Sequence, residues 1–113
     1  GMHYCCNIVT GSTGFGAAVL IRAVEPIDNE TTMQRLRPFN GVGLSNGPAK
    51  LCQALAIDHN LNGHNLLNSP LKLLIQPPLN IKHITQTTRI GITKAKNIPW
   101  RFYITNSPYI SKR

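Results

Sequence analysis

Gly11-Ser-Thr-Gly-Phe-Gly16 narrows what this chain can become more than any other stretch of it. Three glycines in six residues can take the positive φ values that a tight reversal of the chain demands. On one side lies Tyr4 to Thr10, rich in β-branched and aromatic residues. On the other lies Ala17 to Glu25, an apolar run interrupted only by Arg22. Strand, glycine-rich connection, strand: the local reading is a β-hairpin. Two side chains sit badly in it. Asn7 and Arg22 occupy positions where an apolar residue would be easier to bury, and burying a neutral polar group without a partner costs roughly 2–7 kcal/mol. Either each has an internal partner, or the pair faces a polar ligand.

A chain of 113 residues is enough for one domain with a modest core, and 42% hydrophobic content argues against disorder. No apolar run approaches the roughly 18–20 residues of a membrane span, and the chain does not open on a basic region followed by an apolar one. The expectation is a soluble protein of the cytoplasm or nucleoid, without a membrane partner. Net charge is +8, and its distribution says more than its sum. All four acids (Glu25, Asp28, Glu30, Asp58) precede residue 59, whereas seven bases and no acid follow Ile81: Lys82, Arg89, Lys94, Lys96, Arg101, Lys112 and Arg113. A one-signed segment with strand patterning is the footprint of a phosphate-facing surface, or else of a basic solvated face.

Cys5, Cys6 and Cys52 are the cysteines. Neighbours on a strand point to opposite faces, so Cys5 and Cys6 do not readily share a metal, and His3 with Cys5 is a weak substitute for a CxxC pair. They read as buried structural thiols in a reducing compartment.

Pro26 ends the second strand. Asp28-Asn29 offer an N-cap for a helix over Glu30 to Arg37, with Met33 and Leu36 inward and Arg35 and Arg37 outward. Arg37 to Asn46 is a loop. A second helix starts at Asn46 as cap with Pro48 in the first turn, and Leu51, Ala54, Leu55, Ala56 and Ile57 form its apolar face. Its N-terminus with Lys50 is a candidate phosphate seat. Asp58 to Pro70 is an Asn-rich loop with one short turn. Leu71 to Ile75 is expected as a strand, Ile81 to Ile92 as a strand kinked at Gly91, Thr93 to Pro99 as a basic loop, and Trp100 to Thr105 as a last strand. The class is α+β: a curved antiparallel sheet with two main helices, in a single domain over 1–113.

Five blocks of this sequence, GMHYCCN, AAVLIRAVEP, NGPAKLCQAL, TRIGI and PWRFYITNSP, resemble in order the C-terminal half of the 3-methyladenine (methylpurine or alkyladenine) DNA glycosylases. The resemblance covers nearly the whole chain. It implies part of a single-domain glycosylase fold and hydrolytic release of alkylated or deaminated purines from double-stranded DNA, the first step of base excision repair. Water is the nucleophile in this family, and no metal or organic cofactor is implied. Asn7 matches the asparagine that lines the base pocket and crowds out a 2-amino purine. Arg22 matches the arginine that helps to hold the attacking water, and the backbone carbonyl of Ile90 falls where the family contacts the same water. Met2 and His3 follow the family's wedge residue and would lie near the duplex. Lys50, Arg89 and Gly91 would meet phosphates, and His59 stands where some relatives carry a base. Arg101 and Tyr103 read as packing, and Trp100 and Phe102 as core.

Hydrolysis of an N-glycosidic bond needs a carboxylate beside the sugar. The family's water-activating glutamate, base-stacking aromatics and histidine, and wedge tyrosine all belong to the half preceding these blocks. Glu25, Asp28, Glu30 and Asp58 are poor substitutes by position. The expectation is a fragment or split form of the enzyme, inactive without a separately supplied N-terminal half. The alternatives are a non-enzymatic basic DNA- or RNA-binding module, a relic of the fold, and a general interaction domain.

Overall fold

The structure, a computed structural model, describes residues 3–11, 14, 16–90 and 97–112. Met2 and Gly91 of the candidate site, and most of the basic loop after Ile92, lie outside the described residues. Two units emerge, one comprising 1–64 with 109–111 and the other 65–108. Helices and antiparallel strands are both present, as an α+β chain requires.

In the first unit the glycine-rich connection does what its composition dictates. Gly11, Gly14 and Gly16 adopt φ of 78°, 86° and 76°, values that disfavour any side chain, and the chain reverses between β1 (Cys6–Thr10) and β2 (Ala17–Ile21). The strands pair antiparallel with Asn7 opposite Leu20 and Val9 opposite Ala18. These four residues share one face of the pleat, and all four are exposed. Cys6, Ile8, Ala17 and Ile21, on the other face, are half-buried. β1 starts at Cys6 rather than Tyr4, and β2 ends earlier than expected, since Arg22 to Glu25 form no ladder with β1.

Helix α1 (Glu30–Leu36) begins where expected, by a different device. Asn29 stands in the left-handed region at φ 61°, which asparagine tolerates, and its carbonyl accepts from the Thr32 and Met33 amides. The Asp28 carboxylate takes the Asn29 amide rather than an amide inside the helix. Met33 is buried and Arg35 exposed, as expected, but Leu36 is exposed and the half-buried Arg37 turns inward, against expectation.

A 3₁₀ turn over Gly41–Leu44 leads to α2 (Pro48–Ala54), whose cap position is held by Gly47 rather than Asn46. The Asn46 side chain accepts from Lys50 Nζ at 3.1 Å instead. The helix closes with the Ala56 amide on the Gln53 carbonyl and the Ile57 amide on the Cys52 carbonyl. That is a Schellman termination, which places Ala56 at φ 56° where glycine would sit without strain. Replacing Ala56 with glycine is therefore expected to stabilise the chain by about 1 kcal/mol, read as a raised urea midpoint.

Core residues of this unit are Met33, Leu44, Leu51, Cys52, Ala54 and Ile110. Ser45 is fully buried among them. Its Oγ donates to the Val24 carbonyl at 2.7 Å, and the Val24 amide donates back to the Ser45 carbonyl at 3.2 Å. This reciprocal pair fixes the chain just beyond Arg22 against the helical part of the unit.

The second unit holds one two-stranded ladder, β3 (Ile84–Thr87) against β4 (Arg101–Ile104), with Gln86 opposite Phe102. Ile81–His83 is a 3₁₀ turn rather than strand, closed by the Asn80 side chain on the Lys82 amide. Leu71 to Ile75 forms no strand. Leu73, Leu74 and Ile75 are exposed, although the Leu73 amide donates to the Leu66 carbonyl at 2.9 Å. Trp100 and Phe102, expected in the core, are each 61% exposed, and none of this unit's described residues is buried. Arg101 lies over the Tyr103 ring at 5.0 Å, the packing role expected of that pair.

Candidate functional site

The hairpin places the two polar residues that its sequence made conspicuous. Asn7 stands on the exposed face of β1, opposite Leu20. Arg22 follows Leu20 at the two-residue spacing that returns an extended chain to the same face. Its guanidinium is half-buried and is anchored through Nε, which donates to Ser111 Oγ at 3.0 Å. Ser111 comes from the far end of the chain, so sequence spacing carried no sign of this contact. Glu25, the acid nearest in sequence, is exposed.

A second feature lies in the same unit. An open cavity of about 610 Å³ is lined by His3, Tyr4, Arg37, Lys50 and Asp58, with buried Cys52 in its wall. It brings together His3 and Lys50, which are distant in sequence and which the resemblance assigned to DNA contact. Neither Asn7 nor Arg22 lines it. Tyr4 Oη lies 3.3 Å from His59 Nδ1, with the two rings tilted at 6.2 Å, so His59 stands beside this cavity. With seven residues, α2 is too short for its N-terminus to serve as an anion seat by itself, and Lys50 supplies the positive charge on this wall.

Arg37 is the residue that sequence reasoning misplaced. Its Nε donates to the Leu44 carbonyl at 3.2 Å, Nη2 to the Gly43 carbonyl at 3.2 Å and Nη1 to Gln53 Oε1 at 3.1 Å. Its plane also lies 4.0 Å over the Phe39 ring. One guanidinium thus joins the end of α1, the following turn and α2, and forms part of the cavity wall. A run of Arg, Pro, Phe, Asn and Gly gave no signal beyond "loop".

The cysteines differ from the expected set of buried thiols. Cys52 is buried, Cys6 is half-buried and Cys5 is exposed. Burial, with Cys6 and Cys5 close enough to add repulsion, pushes the Cys52 thiol up to about 11, and burial also raises Cys6. Both therefore stay protonated at neutral pH and are poor metal ligands or nucleophiles. Among the described residues no group of three or more His, Cys, Asp or Glu is placed to hold a metal ion.

Ile90 and Arg89 belong to the second unit, where both are half-buried, and the Arg89 guanidinium lies 5.7 Å over the Trp100 ring. Among the described residues no helix is long and apolar enough to cross a membrane.

Comparison with known proteins supplies the family. The chain is 46% identical over 117 residues to a protein of Methanoculleus marisnigri named as a 3-methyladenine DNA glycosylase, an alignment covering 100% of this chain and 61% of that one. It is 46% identical to one of Carboxydothermus hydrogenoformans and 47% identical to one of Francisella tularensis subsp. tularensis, both bearing the same name. Those alignments again take in all of this chain, against 60% and 61% of the relatives. The chain thus spans about three fifths of the length of the curated relatives it matches. The family model of the methylpurine-DNA glycosylases matches residues 1–108. With nearly its full length so matched, this chain belongs to the methylpurine-DNA glycosylase family.

Proposed function

We propose that these residues form one wall of a DNA repair glycosylase that hydrolyses the N-glycosidic bond of alkylated or deaminated purines in duplex DNA, within the cytoplasm or nucleoid where that DNA lies. The observation that carries this reading is the hairpin: an exposed amide at Asn7 and an anchored guanidinium at Arg22, in adjoining segments of a chain from this family. Asn7 would meet the edge of a purine swung out of the helix, where its bulk opposes a 2-amino group. Arg22 would hold the attacking water. His3 and Lys50, together in the groove, and Arg89, with Met2 and Gly91 outside the described residues, would meet the duplex and its phosphates. The two units would be parts of one glycosylase domain.

The chemistry needs one group more. Water attacking the anomeric carbon must lose a proton to a carboxylate, and the oxocarbenium ion that forms needs a negative neighbour. Neither requirement is met on the hairpin: Asp28 and Glu30 open α1, Asp58 lines the separate groove, and Glu25 is exposed beyond β2. The carboxylate would come from the part of the protein that the relatives carry outside the matched three fifths.

The test is reconstitution. By itself the chain is expected to release no hypoxanthine from a duplex containing it, whereas mixing it with the separately expressed complementary segment restores release. In that mixture Asn7→Ala is expected to relax the exclusion of guanine-type bases, measured as release from matched hypoxanthine and guanine duplexes. Unchanged selectivity would remove Asn7 from the pocket, and a mixture that never excises would remove the glycosylase reading.

A further inference from the structure

We propose that the β3–β4 ladder carries a platform for an unpaired strand of DNA, with Trp100 and Phe102 as the surfaces on which its bases stack. The choice of DNA over RNA rests on the glycosylase reading, but the stacking surface itself is argued from the structure. Exposure alternates along β4: Arg101 and Tyr103 are half-buried, whereas Phe102 and Ile104 are exposed. Gln86, paired with Phe102, is exposed on that same face. Trp100 continues the alternation just ahead of the strand and is as open as Phe102. Two residues of extended chain span about 7 Å, room for each ring to take a base of its own.

The position of Trp100 is fixed from both sides. Its amide donates to the Ile98 carbonyl at 2.8 Å, and Gln86 Nε2 reaches from β3 to the Pro99 carbonyl at 2.8 Å. The Arg89 guanidinium lies 5.7 Å from the centre of the indole, which sets a cation beside the stacking surface. Charge indicates the occupant. Residues 65–108 contain Lys72, Lys82, Arg89, Lys94, Lys96 and Arg101 and none of the chain's four acids. A polyanion bearing flat aromatic groups complements such a segment. Only an unpaired strand offers those groups freely, because a duplex keeps its base faces stacked inside.

Trp100 is the only tryptophan in the sequence, so its emission reports on this surface alone. Titrating the full chain with an oligothymidylate of about ten nucleotides is expected to quench it. An abasic deoxyribose-phosphate chain of equal length keeps the charge without the bases, and should compete at least roughly tenfold more weakly. Anisotropy of labelled oligothymidylate reads the variants. Trp100→Ala and Phe102→Ala should each weaken binding roughly tenfold, with urea midpoints near the parent value because both side chains are exposed. Phe102→Tyr keeps a stacking face and should stay within about threefold of the parent, whereas Phe102→Leu should behave like alanine. Leucine that binds like phenylalanine would overturn the proposal, as would an abasic chain that binds equally or a duplex that quenches equally. Tighter binding of oligouridylate would overturn the assignment to DNA. Phosphatidylserine-containing vesicles that shift the emission, where oligothymidylate does not, would make a membrane the occupant and overturn it too. So would displacement of the oligonucleotide by the stretch of the Methanoculleus marisnigri relative lying outside the matched part. Excision assays separate the two readings. Stacking without base release from the reconstituted mixture leaves the platform intact and defeats the glycosylase reading, and base release without stacking does the reverse.

Discussion

In the reconstituted protein, Arg22→Ala is expected to lower the single-turnover rate of base release by roughly 10²-fold or more, while duplex affinity changes by less than about threefold. The split follows from the role proposed for the guanidinium. A donor that orients the attacking water acts on charge developing in the transition state and touches no part of the ground-state duplex, so its loss appears in turnover and leaves binding nearly unchanged. Geometry adds a finer expectation. Nε is held by Ser111 Oγ at 3.0 Å, which defines the plane in which the remaining N–H groups point. Ser111→Ala should therefore reduce turnover in the same sense but by roughly a tenth as much, since the group remains and only its orientation loosens. Arg22→Lys keeps the charge and loses the fork, and is expected to behave nearly as badly as alanine. Equal losses in turnover and affinity for Arg22→Ala would instead mark a residue that binds DNA or holds the fold.

Sequence legibility fell off where a feature depends on distant partners. Glycines at 11, 14 and 16 announce a reversal because their conformations are local, and the hairpin register follows from it. Both helices were legible for the same reason, through Met33 in α1 and through Pro48, Leu51 and Ala54 in α2. Caps were less so. Asn29 and Asn46 were both read as side-chain caps, yet one uses its backbone carbonyl and the other binds Lys50. Leu71 to Ile75 has strand composition but no strand, because β propensity expresses a fit to a pleated, half-buried surface rather than an intrinsic preference of the backbone. Trp100 and Phe102 repeat the lesson: an apolar side chain is buried only if a surface exists to cover it. As for the candidate site, Asn7 and Arg22 stood out as polar interruptions of strands, and family resemblance gave them roles. The Ser111 anchor and the meeting of His3 with Lys50 were invisible, since each joins residues far apart in the chain.

Arg37→Ala is expected to destabilise the chain by about 2–4 kcal/mol, a large fraction of the roughly 5–15 kcal/mol by which a typical domain is stable. Three hydrogen bonds disappear together, and the Leu44 and Gly43 carbonyls lose their donor in part-buried surroundings. The stacking on Phe39 goes as well, exposing more of a ring that is already half exposed. Water can reach part of this site, which places the estimate below the sum for three fully buried charged bonds. Three elements share the residue, so the damage spreads: α1 is released from the Gly41–Leu44 turn, and that turn from α2. Leu44, fully buried in the core, loses the bond that fixes its backbone. Arg37→Lys separates shape from charge. A single ammonium cannot reach two carbonyls and an amide oxygen in three directions, so lysine should recover less than about half of the loss. Equilibrium urea unfolding of the three proteins checks this through the midpoint at constant slope. A shift below about 0.5 kcal/mol for alanine would place Arg37 among ordinary surface residues.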